Sequence, residues 1–119
     1  MVRTDPAALL RGEAAAGLIL SVALYGWYGE GWLLFAALFL APDVAALGYV
    51  AGNRVGTTAY NLAHTLGIPI LLATVGLMGD DTRVVASALV WSAHITFDRL
   101  IGYGLKYPGS FKDTHLNRV

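Results

Sequence analysis

The stretch "WSAHITFDRLIGYGLKYP", Trp91 to Pro108, places His94, Asp98 and Arg99 within six positions of one another at the end of an apolar run. Whether these groups meet water or lipid determines the architecture. Charged groups are unremarkable on a soluble helix, but within a membrane span they are costly and usually face a bundle interior or a cavity. The rest of the chain settles which setting applies. Of 119 residues, 56% are hydrophobic and 13% charged, against about 25% charged in an ordinary soluble domain. A single small core cannot hide that much apolar chain, because a domain of this size leaves roughly a third of its surface exposed.

Charge and composition narrow the function. Eight basic residues balance eight acidic ones, with no lysine or arginine run to follow a phosphate backbone, so nucleic acid is not the partner. No cysteine is present, which removes disulfides, thiolate metal sites and cysteine nucleophiles together. Any metal must therefore be held by nitrogen and oxygen.

The apolar chain divides at its turn residues into four pieces near the roughly 20 residues that a bilayer core requires. These run about 8–28, 32–51, 56–78 and 83–105, with 106–119 left as a polar tail. Thr4 or Asp5 can cap the first helix, with Pro6 at its first position. The first run contains Glu13 and is followed by three more spans, so it reads as retained rather than as a cleaved signal. The expectation is an all-α, four-helix transmembrane bundle. Arg3, Arg11, Arg54, Lys106, Lys112 and Arg118 fall on one side of it and Arg83 on the other. By the positive-inside rule both termini are cytoplasmic, giving a multi-pass protein of a cell inner membrane. Gly48, Gly52 and Gly56 recur every four residues, a spacing that lets membrane helices approach and leaves a homo-oligomer open.

Five ionisable groups lie inside these runs: Glu13, Asp43, His64, His94 and Asp98. At 1.5 Å per residue they sit about 8, 12, 12, 16 and 10 Å from the inner ends of their helices. Two helices run up and two down, yet all five land in the inner half. A single polar pocket is the economical reading. His94 and Asp98 are four apart and share a helix face, while Tyr60, Asn61 and His64 lie within one turn. Asp43 follows Pro42, which removes a hydrogen bond and bends the helix beside the carboxylate.

Two imidazoles and two or three carboxylates are ligands that zinc, iron or manganese accepts, with the ion's charge neutralised in an apolar setting. Glu13, Asp43, His64, His94 and Asp98 are thus candidate metal ligands, and Glu13, Asp43 or Asp98 can alternatively serve as a catalytic base. Tyr60, Asn61 and Arg99 are candidate binding residues around them. So are Lys112 and His115, if the tail folds back over the pocket. A membrane-soluble small molecule would then be the substrate. Other readings stay open: a hydrogen-bonded network that fixes packing, a proton relay or small transporter, or a haem between His64 and His94 that the nearby carboxylates would crowd. No hydrolase triad and no phosphate loop is present.

The blocks "APDVAALGYVAGNRVG" from Ala41, "YNLAH" from Tyr60, "WSAHITFDRLIGYGLKYP" from Trp91 and "FKDTHL" from Phe111 resemble a family of small bacterial integral-membrane proteins, the domain-of-unknown-function family numbered 4260. The resemblance covers nearly the whole chain and departs at Asn53, where proline is expected, and Thr96, where glycine is. It implies a four-helix membrane protein and a tail that belongs to the family pattern, without implying an activity or cofactor.

Overall fold

The computed structural model describes residues 5–102 and 105. Among these the chain is entirely helical: α1 (Pro6–Tyr28), α2 (Trp32–Phe39), a 3₁₀ segment (Ala41–Ala51), α3 (Asn53–Ala63), α4 (Gly67–Met78) and α5 (Thr82–Ile101). Arg3, Lys106, Lys112, His115 and Arg118 lie outside the described residues, as does the tail.

The outer helix limits follow from their caps. Asp5 accepts a hydrogen bond from the Ala8 amide at 2.8 Å and Pro6 occupies the first turn, so α1 starts where its orphan amide finds a partner. It ends at Gly29, whose φ of 69° is a conformation that glycine adopts without strain. Asp81 caps α5 by accepting from the amides of Arg83 and Val84 at 3.1 and 3.2 Å.

The two middle runs are not continuous helices, and each break has a proline behind it. A proline ring collides with the carbonyl four residues back. For Pro42 that carbonyl belongs to Leu38, and α2 stops at Phe39, where the chain tightens into an eleven-residue 3₁₀ segment. For Pro69 it belongs to Thr65, and the third run breaks between Ala63 and Gly67 with a bend of 42°. The expected four helices are therefore five α-helices and one 3₁₀ segment. Three segments, Pro6–Tyr28, Trp32–Ala51 and Thr82–Ile101, are long and apolar enough to cross a membrane, and α3 with α4 makes a fourth if the bent pair is one span.

α5 is the central post. Half of its apolar window is buried, against 11% in α1 and 6% in Trp32–Ala51, so α1, α2 and α4 pack around it while α3 packs on the 3₁₀ segment, and much of the remaining apolar surface faces outward. Val85, Ala86, Leu89 and Val90 form the core with Tyr25 of α1. Tyr25 also donates its hydroxyl to the Gly31 carbonyl and packs its ring against Trp32 and Phe35, which fixes the α1–α2 turn. Outward-facing Ile19, Leu33, Val50, Leu71 and Met78 are all more than half exposed, the pattern expected of side chains solvated by lipid.

The 3₁₀ segment and α3 form an antiparallel hairpin around Gly52, whose φ is 123°. In a 3₁₀ helix residues three apart eclipse and each residue rises about 2.0 Å, so Asp43, Ala46 and Tyr49 line one face. Tyr49 packs on Gly56 and its hydroxyl bonds the Thr57 hydroxyl at 3.2 Å. Six residues earlier, at the other end of the same face, Asp43 reaches His64. The glycine repeat is thus used within the chain. A Cβ on Gly56 would overlap the Tyr49 ring, and one on Gly48 would meet Ala59 at 3.1 Å.

Candidate metal centre

Three elements deliver four side chains to one point. Asp43 comes from the 3₁₀ segment, His64 from the carboxyl end of α3, and His94 and Asp98 from successive turns of α5. His64 Nε2 lies 3.3 Å from Asp43 Oδ1, 3.4 Å from Asp98 Oδ2 and 3.1 Å from His94 Nε2. His94 Nε2 lies 3.2 Å from each of the same two carboxylate oxygens. All four potential ligand atoms fall within 4.8 Å of one another. Both imidazoles are almost wholly buried at 2% exposure, Asp98 is at 15%, and Asp43 at 57% opens the site on one side.

The break after α3 is what aims His64. Its φ of −114° and ψ of 15° take it out of the helix, and the carbonyls left without helical partners are taken up by side chains. Trp91 Nε1 donates to the Ala63 carbonyl, and Arg99 Nη2 donates to the His64 carbonyl at 3.0 Å. Thr65 Oγ1 adds a second donor, at 2.6 Å, to the Asn61 carbonyl, which also accepts from the His64 amide at 3.2 Å. A helix end buried without such partners would be costly. The interruption is therefore built and held by α5.

Hydrogen bonding also fixes which nitrogen faces the centre. His64 Nδ1 lies 2.8 Å from the Tyr60 carbonyl, which can only accept, so the ring carries its hydrogen on Nδ1 and turns a lone pair on Nε2 toward the cluster. A ligating histidine is typically oriented in this way by a backbone carbonyl. The Tyr60 ring stacks on His64 with centroids 3.8 Å apart. Phe39 packs edge-on against His94 at 5.1 Å. Among the described residues the buried His94 Nδ1 makes no hydrogen bond of standard geometry, although the Phe39 backbone interacts with the ring, while its Nε2 takes part in the contacts with His64, Asp43 and Asp98 described above.

Lone pairs and two carboxylates cannot rest this close without positive charge between them. Five of the six separations among the four atoms lie between 3.1 and 3.4 Å. Bonds of about 2.0–2.1 Å from a tetrahedral ion would set its ligand atoms about 3.3–3.4 Å apart. The side-chain arrangement fits one divalent ion of the kind that accepts imidazole and carboxylate.

Of the residues singled out in the sequence, Asp43, His64, His94 and Asp98 converge and Glu13 is not in the group. Glu13 is exposed on α1 and lines a separate cavity with Arg99 on another side of α5. Tyr60 and Asn61 adjoin His64, the first through its ring and carbonyl and the second through its carbonyl. Arg99 holds the His64 carbonyl instead of a carboxylate. Two contributors, Trp91 and Phe39, have no counterpart in the sequence reading. Trp91 carries a usable signal: it lies three positions before His94, and a buried indole N–H needs an acceptor.

A groove of about 300 Å³ with a mostly apolar lining runs beside the centre, bounded in part by Pro42, Ala63 and Trp91, which adjoin the ligands in sequence or hold the α3 end. Comparisons with curated proteins and with solved structures return no match. The family model of a domain of unknown function (DUF4260) matches residues 7–119, and the chain belongs to that family.

Proposed function

We propose that this chain is a multi-pass membrane protein that holds one divalent transition metal ion among Asp43, His64, His94 and Asp98 and uses it on a membrane-soluble substrate. The convergence of four potential ligand atoms within 4.8 Å, five of their six separations being 3.1–3.4 Å, carries the reading. In this reading α3 and α4 form one interrupted span, the bundle has four spans, both termini are cytoplasmic, and the centre lies in the inner half of a cell inner membrane.

The apolar groove bounded by Pro42, Ala63 and Trp91, the first two of which precede Asp43 and His64 in the chain, supports the choice of an apolar substrate. The two carboxylates balance the ion's charge, which a low-dielectric setting demands. Asp98 and the two imidazoles, the more buried groups, would hold the ion with Asp43 on the open side of the site, and such an ion would supply Lewis acidity to a substrate oxygen reaching that side.

Elemental analysis tests the reading. Protein purified after growth with zinc, iron and manganese should carry about one ion per chain, and His64→Ala or His94→Ala should carry less than about a tenth of one. A wild-type content below about a tenth of an ion per chain under those conditions would overturn it.

A further inference from the structure

A second feature lies away from the metal centre, between α1 and α4 over the surface of α5. Two cavities there share the lining residues Gly17, Leu66 and Thr96 and so adjoin along one groove. The larger part, about 370 Å³, is walled by apolar side chains including Leu20, Leu24, Ile70 and Leu77. The smaller, about 160 Å³, ends at Glu13 and Arg99. At their common boundary α1 packs closely on α5, where a Cβ on Gly17 would meet Thr96 Cγ2 at 3.0 Å.

The groove's height matches one leaflet. Arg11 Nε donates to the Leu100 carbonyl at 2.9 Å, which sets the second turn of α1 level with the carboxyl end of α5. Glu13 lies just above that level. Eleven residues separate it from Leu24, about 16 Å of helix, close to half of a hydrocarbon core about 30 Å thick. The polar end therefore faces the headgroups and the apolar end reaches toward the bilayer centre.

We infer that this groove binds one aminophospholipid molecule, with an acyl chain along α1 and α4, its phosphate at Arg99 and its ammonium at Glu13. Among the described residues no ion pair joins Glu13 to Arg99, although both line the same small cavity. An acid and a base held apart in this way complement a zwitterion. Arg99 donates one N–H to the His64 carbonyl, and a guanidinium has five, enough to bind a phosphate as well. A purely anionic lipid would leave the Glu13 carboxylate facing negative charge, and a second copy of the chain would supply no phosphate. The inference uses the membrane placement and is independent of the metal.

Native mass spectrometry of protein released from vesicles of equal phosphatidylethanolamine and phosphatidylglycerol provides the test. Wild-type protein should retain one lipid, with the ethanolamine form favoured by about threefold, as one exposed ion pair allows. Ala73→Phe, which fills the apolar part, should lose the bound lipid. Glu13→Gln changes an exposed group and should keep the lipid but lose the preference. Metal content should be the same in all three. Bound lipid in the ratio of the vesicle, retention by Ala73→Phe equal to wild type, or a lipid-free dimer would overturn the assignment.

Discussion

His64 and His94 are thirty positions apart, yet their Nε2 atoms face each other at 3.1 Å with both carboxylates on the same pair of nitrogens. An imidazole must be neutral at the ligating nitrogen before it can hold a metal, so acid should release the ion. Occupancy is expected to fall on acidification, with protons taken up as the metal leaves. Stability contributed by the ion follows the same direction, present at neutral pH and lost in acid. Thermal unfolding in detergent with and without a chelator, at neutral pH and after stepwise acidification, checks this; a chelator effect that does not diminish in acid would contradict it.

Pro69 offers a less obvious test. Its collision with the Thr65 carbonyl keeps α3 and α4 apart, and the break is what turns His64 out of the helix. Pro69→Ala should raise helix content slightly while lowering metal affinity by about 10- to 100-fold, the range seen when ligand-supporting contacts are lost. Circular dichroism and metal titration on the same sample separate the two effects.

Gly56 and Gly12 predict opposite outcomes for the same substitution. Gly56→Ala places a methyl in the Tyr49 ring and should cost about 1–3 kcal/mol, whereas a Cβ at Gly12 meets nothing within 4 Å. Gly12→Ala should be neutral or stabilising by up to about 1 kcal/mol. Melting temperatures in detergent are sufficient to compare them.

The absence of cysteine makes topology directly measurable. With both termini cytoplasmic, Asp80→Cys should react with an impermeant maleimide in intact cells, and Asn53→Cys only after permeabilisation. The reverse pattern would invert the proposed orientation.

The outer framework is legible in the sequence because its signals are local. Asp5, Pro6, Gly29 and Asp81 terminate helices by chemistry that a few adjacent residues carry. Pro42 marks the interruption at Leu40, though not the long 3₁₀ segment that follows it, and the break at His64 is harder to see. Lipid-facing chain is apolar on both sides of an interruption, so hydrophobicity does not register it, and Pro69 is the strongest sign of the second one. For the site, helical rise gives height but not direction around the bundle. That is why Asp43, His64, His94 and Asp98 are grouped by depth with Glu13, which lies beside Ile95, Thr96 and Arg99 at the expected level yet on another side of α5.

The order in which the four ligands occur along the chain bears on biosynthesis. Asp43 emerges first and His64 follows, but His94 and Asp98 belong to the final apolar segment. A chain halted before that segment inserts has one carboxylate and one imidazole, too few to retain an ion. If the proposed ion is bound, its capture would mark completed insertion, and a prematurely ended product would differ from the mature protein in lacking it.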